Sequence, residues 1–597
     1  MIGPCFVPHP PTAACLMPSQ PARIAPVHPS VSIQQSARKS LSPPQNAWPQ
    51  LFFALALISH FALPRAPAAP LAGIRSAWAV EPAAADLPIE QAIDHYVNDR
   101  LTAAGVTAAP VASDTQLLRR TMLDLNGRIP TRAEIFAYRQ ASGDAKRGEL
   151  VERLLSNPSW VRHQVDQYDF FLMNGSGGNL RDYLQTALSE NRPWNEMFRD
   201  LLTGRADDPS QKGALQFLRT RAKDVDKLTN DVSVLFFGVN VSCAQCHDHP
   251  LVDEWKQDHF YGMKSFFTRT FENGEFLGER DYGQLEYKTA KGETRAAKLM
   301  FLNGQVLEEP VSVEPDKAAR EAEKKQLEEL KKNKQPPPAP SYSRRARLLE
   351  VAWSSPETSF FARAAVNHVW ARYFGRGLVA PTDQLHAANT PSHPELLDWL
   401  ARDFVSHGYD LRRLTRGIVL SQAYARSSHW DSADRPAPEL LAVAPVRPLS
   451  PLQYGMLLRQ AASNPDRFPA ELPADEHHKR IQALEAAARG LASSFEYPSG
   501  LDFQVSIDEA LLLSNGERMQ RELLRDDNEG LVGKLKSLDD VNEALDLAAE
   551  NIFGRSLTEA ERTPLRKYVE ARADRPLEAW RQVVWAMLTS GENRFNH

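Results

Sequence analysis

The sequence predicts a mainly α-helical protein, two helical regions with a small β-hairpin insertion and a charged, Pro-rich linker between them. Three observations carry this. Apolar residues recur at helical spacing over most of the chain after residue 86. Helix start and stop signals flank those stretches. Strand-like runs and two-residue turn signals gather between residues 279 and 313.

Residues 1–79 read as a leader or signal segment. An apolar run from Leu51 to Leu63 follows Arg38 and Lys39, and Ala77-Trp78-Ala79 is a small-x-small cleavage site. The run is shorter than the roughly 20 apolar residues that cross a bilayer. The expectation is an exported protein, periplasmic or at the cell surface, with a retained N-terminal membrane tether as the alternative. No other stretch approaches spanning length, so no transmembrane bundle is expected.

Residues 86–272 are expected to be helical. Ile89, Ile93 and Val97 repeat at i, i+4 and i+8, and Leu117, Leu118, Met122 and Leu125 continue at similar spacing. Gly127 closes that second helix. Thr131 opens the next one as N-cap, with Glu134 completing a capping box. Gly175-Ser176-Gly177-Gly178 lacks the lysine of a phosphate-binding loop and reads as structural. Val232 to Val241 is nearly continuous in apolar residues and delivers the chain to Cys243.

In residues 279–313, Leu285–Lys288 and Lys298–Leu302 read as short strands, and Asn303-Gly304 as a hairpin turn. Residues 314–342 form the linker, a solvated helix from Glu314 to Lys334 stopped by the stiff spacer Pro336–Pro340. A second helical region occupies residues 343–597. Ser392-His393-Pro394-Glu395 reads as a capping box, and the helix after it places Leu396, Leu397, Leu400 and Phe404 on one face before stopping near Gly408. Residues 554–561, Gly-Arg-Ser-Leu-Thr-Glu-Ala-Glu, echo residues 127–134, Gly-Arg-Ile-Pro-Thr-Arg-Ala-Glu. That points to a reused unit, to related ends packing together, or to convergence on good capping.

The formal net charge of −5 provides no basic field, which argues against nucleic acid as a partner. Four cysteines are too few for a disulfide-stapled scaffold, and Cys5 and Cys15 lie in the leader. The other two belong to Cys243-Ala244-Gln245-Cys246-His247, the attachment pattern of haem c. Two thiols at this spacing can form thioethers to the two vinyl groups of one porphyrin, and His247 supplies the proximal nitrogen to iron. His259 and Met263, at i and i+4, are the nearest candidates for a distal iron ligand, with His163 and Met173 as others and a five-coordinate iron as the alternative. Val234, Leu235, Phe236, Phe237, Phe260, Phe266 and Phe267 are candidate pocket walls or ordinary core. The site is expected beside a concave space walled by His259, Met263 and the Phe266-Phe267 pair, with Pro250 turning the chain outward.

A rival arrangement uses Cys243, Cys246, His247 and His249 around zinc, with Asp248 or Asp253 behind a ring N–H. A disulfide between the cysteines is the third reading. The function expected from the residues is an exported c-type haem protein handling electrons with a redox partner. The alternative is a non-haem binding or scaffold protein that engages another secreted protein, the cell envelope or a polysaccharide. In the second half, Asn367, His368, Trp370, His386, His393 and His407 are polar or aromatic groups in or near helices, with no arrangement that names a catalytic site.

Two sets of motifs carry a family resemblance. Leu118-Arg119-Arg120, Leu123-Asp124-Leu125-x-Gly127-Arg128-x-Pro130-Thr131 and Cys243–Pro250 resemble the planctomycete cytochrome-associated domain of unknown function. Val366-Asn367-His368-Val369-Trp370, Phe374–Val379, Pro391–Leu400 and the terminal Phe595-Asn596-His597 resemble the planctomycete-specific domain of unknown function that usually follows it. The resemblance implies an exported, mainly helical protein and supplies no biochemical activity.

Overall fold

A computed structural model describes residues 82–597, apart from 144, 174–177, 205–207, 250–251, 254, 355–358 and 497–502. The leader, the Gly175–Gly177 loop and Pro250 lie outside the described residues.

The architecture is mainly α, with small two-stranded sheets. Helices α1 (Ile89–Ala104), α2 (Asp114–Asn126), α3 (Arg132–Gln140), α4 (Lys146–Leu155) and α5 (Pro158–Met173) open the first region. It continues through α6 (Arg181–Ser189), α7 (Trp194–Thr203), α8 (Gln216–Arg219), α9 (Val225–Phe237) and α10 (Gln257–Ser265). After the solvated α11 (Lys317–Lys332) come α12 (Arg344–Trp353), α13 (Phe360–Phe374), α14 (Pro394–Ser406), α15 (Leu411–Leu420), α16 (Gln422–Ala425) and α17 (Pro451–Ala461). The chain finishes with α18 (Ala474–Ala492), α19 (Ile507–Asn515), α20 (Leu531–Lys536), α21 (Val541–Phe553), α22 (Glu559–Glu570) and α23 (Pro576–Leu588). Among the described residues no helix is long and apolar enough to cross a membrane.

Local signals translate into helix ends. Gly127 ends α2 in the left-handed region at φ 68°, and Thr131 and Glu134 form the capping box of α3. The Ser392–Glu395 box does not form. Pro394 takes the first helical position of α14, which makes His393 the N-cap, while the Ser392 N–H is spent on the Leu378 carbonyl at 2.8 Å.

Strands also differ from expectation. β1 (Thr270–Asn273) and β2 (Phe276–Glu279) pair antiparallel, Thr270 opposite Glu279, just where the helical reading runs out. Their turn contains Asn273-Gly274, with Gly274 at φ 69°, the same chemistry as Asn303-Gly304. β3 (Glu286–Lys288) pairs with β4 (Thr294–Ala296). Lys298–Leu302 makes only one bridge, Met300 to Val306, around the Asn303-Gly304 turn. Outside the insertion, β5 (Arg447–Pro448) pairs with the C-terminal β6 (Phe595–Asn596).

The echoed segments adopt the same geometry. Arg128 holds Glu134 through two bonds of 2.7 and 2.6 Å, and Arg555 holds Glu561 through two of 2.9 Å. Gly554 ends α21 at φ 74°, and Thr558 and Glu561 cap α22. The two units touch, with Arg132 donating to Glu550 at 2.8 Å and Arg139 reaching the Gly554 carbonyl. Burial alone would raise the Glu134 carboxyl, but Arg128 and the Thr131 backbone outweigh it and hold it at about 2. Its contribution to stability is therefore complete above the usual 4.5 and lost as pH falls towards about 2. Glu134→Gln is expected to cost about 1.5–3 kcal/mol at neutral pH. Chemical unfolding of both proteins should show that gap closing below pH 4.5; a gap constant down to pH 3 would contradict it.

The hydrophobic core runs across the linker. One cluster joins Ile93 of α1, Phe198 of α7 and Phe236 of α9 to Phe361 of α13, Leu400 of α14 and Ile418 of α15. A second joins Leu123 and Ile129 to Leu457, Val532, Ile552 and Val584 near the C-terminus. Polar ties reinforce this. Asn367 clamps the Val379 backbone, donating to its carbonyl and accepting from its N–H, both at 2.9 Å. Gly377 sits so close that a Cβ there would lie 2.4 Å from the Val379 oxygen and 2.7 Å from Asn367 Oδ1. Gly377→Ala should therefore cost about 1–3 kcal/mol by forcing the clamp apart. An unchanged unfolding midpoint would show that the loop relaxes freely.

Candidate functional site

α9 positions the Cys243–His247 segment. Asp224 caps its start by accepting the Lys227 N–H, and Leu228, Val232, Phe236 and Phe237 bury its inner face. Gly238 ends it at φ 66°, where a Cβ would sit 3.2 Å from the Thr382 carbonyl. The next residues are gripped by the second half of the chain: Leu385 N–H donates to the Gly238 carbonyl and Asn240 N–H to the Asp383 carbonyl, both at 2.9 Å. Asn240 Oδ1 then accepts from the Ser242 hydroxyl at 2.6 Å and its N–H at 3.2 Å. That turn starts a short 3₁₀ segment, Ser242–Gln245, with Ala244 fully buried beneath it.

α10 holds the segment from the other side. Gln257 Nε2 donates to the Cys246 carbonyl at 3.0 Å, and its N–H to Asp248 Oδ1 at 3.1 Å. Tyr261 donates its hydroxyl to the Gln245 carbonyl at 3.2 Å and stacks on Tyr287 with ring centroids 4.0 Å apart. The backbone is thus pinned while Cys243, Cys246 and His247 are exposed, and no disulfide joins the two thiols. His247 Nδ1 lies 2.7 Å from the Asp248 carbonyl oxygen. A carbonyl only accepts, so Nδ1 carries the hydrogen and, in the neutral ring, the lone pair belongs to Nε2, the nitrogen that would be left to hold a metal.

The donors therefore suit covalent attachment of haem c: two accessible, reduced thiols and one accessible imidazole on a rigid turn. The expected enclosure differs. Met263, Phe260, Phe266 and Phe267 are at most 1% exposed and packed as core, so they wall no open space beside His247. His259 is half-buried and accepts the Lys256 N–H at the start of α10, edge-on to Trp255. His163 is buried against Gly127 and bonded to the Asp124 backbone, and Met173 is buried within reach of Arg221. Among the described residues no group of three or more His, Cys, Asp or Glu side chains is assembled to hold a metal, the Cys243–His249 set included. Asp248 is engaged by Gln257 and Lys256, and Asp253 is exposed.

In the second half, Asn367 is the clamp described above and Trp370 stacks on Phe374. His386 Nε2 meets Gln384 Oε1 at 3.2 Å, and His407 Nδ1 meets the Asp403 carbonyl at 2.9 Å. His393 is buried beside Ser392, and burial, then Arg100, pushes it down to about 4. His368 donates from Nε2 to the Val234 carbonyl of α9 at 3.4 Å. Sequence reasoning missed Gln257, Tyr261 and Asp383 as the supports of the pentapeptide. A glutamine and a tyrosine four residues apart on α10 carried a weak signal; the Asp383 contact carried none.

Residues 92–272 match PSCyt2, a protein of unknown function (DUF1549), and residues 344–461 match PSD1, a protein of unknown function (DUF1553). No curated protein and no solved structure matches the chain.

Proposed function

We propose that this chain, in which a PSCyt2 domain precedes a PSD1 domain, is an exported c-type haem protein that handles electrons outside the cytoplasm. The observation carrying this reading is the Cys243–His247 turn itself, with both thiols exposed and Nδ1 of His247 committed to the Asp248 carbonyl. In attachment, each thiol adds across one vinyl group, sulfur to one carbon and the thiol hydrogen to the other, so no oxidant is needed. When bound, the group supplies one-electron chemistry at iron. Gln257 and Tyr261 hold the turn rigid, and the exposure of the site suits a redox partner docking directly against it. Export rests on the leader, residues 1–79.

Expression with a haem c maturation system should yield one covalent haem per chain in a pyridine haemochrome spectrum. Cys243→Ser with Cys246→Ser should abolish it while changing stability by no more than about 0.5 kcal/mol, because both side chains are exposed. Absence of covalent haem under conditions that load a control cytochrome would overturn the reading. One zinc per chain, lost together with structure on Cys243→Ser, would instead identify a non-haem binding or scaffold protein.

A further inference from the structure

We propose that the cleft between α5, α9 and α13 binds a small amphipathic organic anion, a carboxylate carried on an aromatic or alkyl body. This is independent of the haem reading. The cleft encloses about 660 Å³, within the range of small-molecule sites. Helices α5 and α9 belong to the residues matched by PSCyt2 and α13 to those matched by PSD1, so the two domains build it jointly.

One wall is apolar. Phe170, 37% exposed, and the half-buried Phe171, Val234 and Leu235 line it. The polar groups of the lining differ in how they are engaged. Trp194 Nε1 and Asn230 Oδ1 both belong to lining residues, and both atoms are buried without a hydrogen-bond partner. Closed off as they are, these two atoms give the cleft no contact, so recognition rests on its accessible groups. By contrast, Arg221 in the same lining is fully used, on Asp231 at 2.6 Å, the Leu172 carbonyl at 2.7 Å and the Phe217 carbonyl at 3.0 Å.

Arg372 supplies the charge. Its guanidinium donates to Gln164 Oε1 at 2.7 Å and lies 4.5 Å over the Tyr168 ring, and among the described residues it has no carboxylate partner. His368, its Nε2 engaged by Val234, is held neutral by burial and adds no charge. With Arg221 and Asp231 cancelling, the cleft presents one uncompensated cation beside an aromatic wall. A fixed guanidinium is suited to a carboxylate.

Isothermal titration of the full chain with 1-naphthoate and with neutral 1-naphthalenemethanol tests this. One naphthoate per chain is expected, bound at least tenfold tighter than the alcohol. Arg372→Gln should remove that preference and leave the alcohol unaffected, whereas Leu235→Trp, which fills the cleft, should weaken both. Circular dichroism and melting temperature establish that each variant is folded; should Arg372→Gln not fold, Leu235→Trp and the naphthoate-to-alcohol ratio decide. Equal affinity for the two compounds, naphthoate affinity unchanged by Leu235→Trp, or no saturable binding (a cleft holding only water) would overturn the proposal.

Discussion

Asp124→Ala is expected to destabilise the fold by about 3–5 kcal/mol, the cost of removing one partner from a buried ion pair. The Asp124 side chain is only 4% exposed and accepts four bonds on its two oxygens. Arg447 donates to both, at 3.0 and 2.7 Å, Tyr424 donates its hydroxyl at 2.7 Å, and Asn596 donates at 2.9 Å. These partners come from β5, α16 and β6, so one carboxylate on α2 ties together three segments of the second region, the last of them the C-terminal strand. Alanine leaves the Arg447 charge buried without compensation and strands the Tyr424 hydroxyl. Denaturant unfolding monitored by tryptophan fluorescence measures the loss. Combining Asp124→Leu with Arg447→Met should recover much of it, because removing both charges avoids the unpaired one. A loss below about 1 kcal/mol for Asp124→Ala would mean that water or a neighbouring group compensates Arg447.

The second large effect is a steep loss of stability in mild acid. Burial pushes His163, His368 and His393 each down to about 4 from the usual 6.5. These values are lowered in the folded chain, so the neutral rings contribute fully above about 6.5 and the contribution is lost as pH falls through about 4. Between those values the unfolded chain binds up to three more protons, a slope of roughly 4 kcal/mol per pH unit when all three act together. The melting temperature should hold near neutrality and fall sharply between pH 6.5 and 4.5, with the Glu134 loss adding only below that window. His393→Gln should reduce the slope by about one third. A melting temperature constant from pH 7 to pH 5 would show that these rings protonate without unfolding.

Both effects arise from contacts that no local pattern announces. Asp124 lies in a motif legible as a helix end, yet its partners stand 300 to 472 residues away along the chain. The same holds at the candidate site. Cys243, Cys246 and His247 were readable as one chemical unit because their spacing is local. Their exposure was not, since it depends on Ala244 facing the core, on α10 taking the backbone carbonyls and on the loop around Asp383. Met263 and the Phe266-Phe267 pair have the composition of either a pocket wall or core, and periodicity cannot separate the two.

By itself the sequence determined the helical class, the ends of α2 and α3, and the solvated α11 with its Pro-rich end. Each depends on groups within about four residues of one another, where helix hydrogen bonding, glycine at positive φ and side-chain capping act. Tertiary structure alone decided that the core crosses the linker, that the echoed units at Gly127 and Gly554 meet, and that Arg372, with no carboxylate partner among the described residues, lines a cleft built by both halves. Burial and the pairing of distant charges are properties of packing, and packing is set by which faces meet rather than by any one segment's pattern.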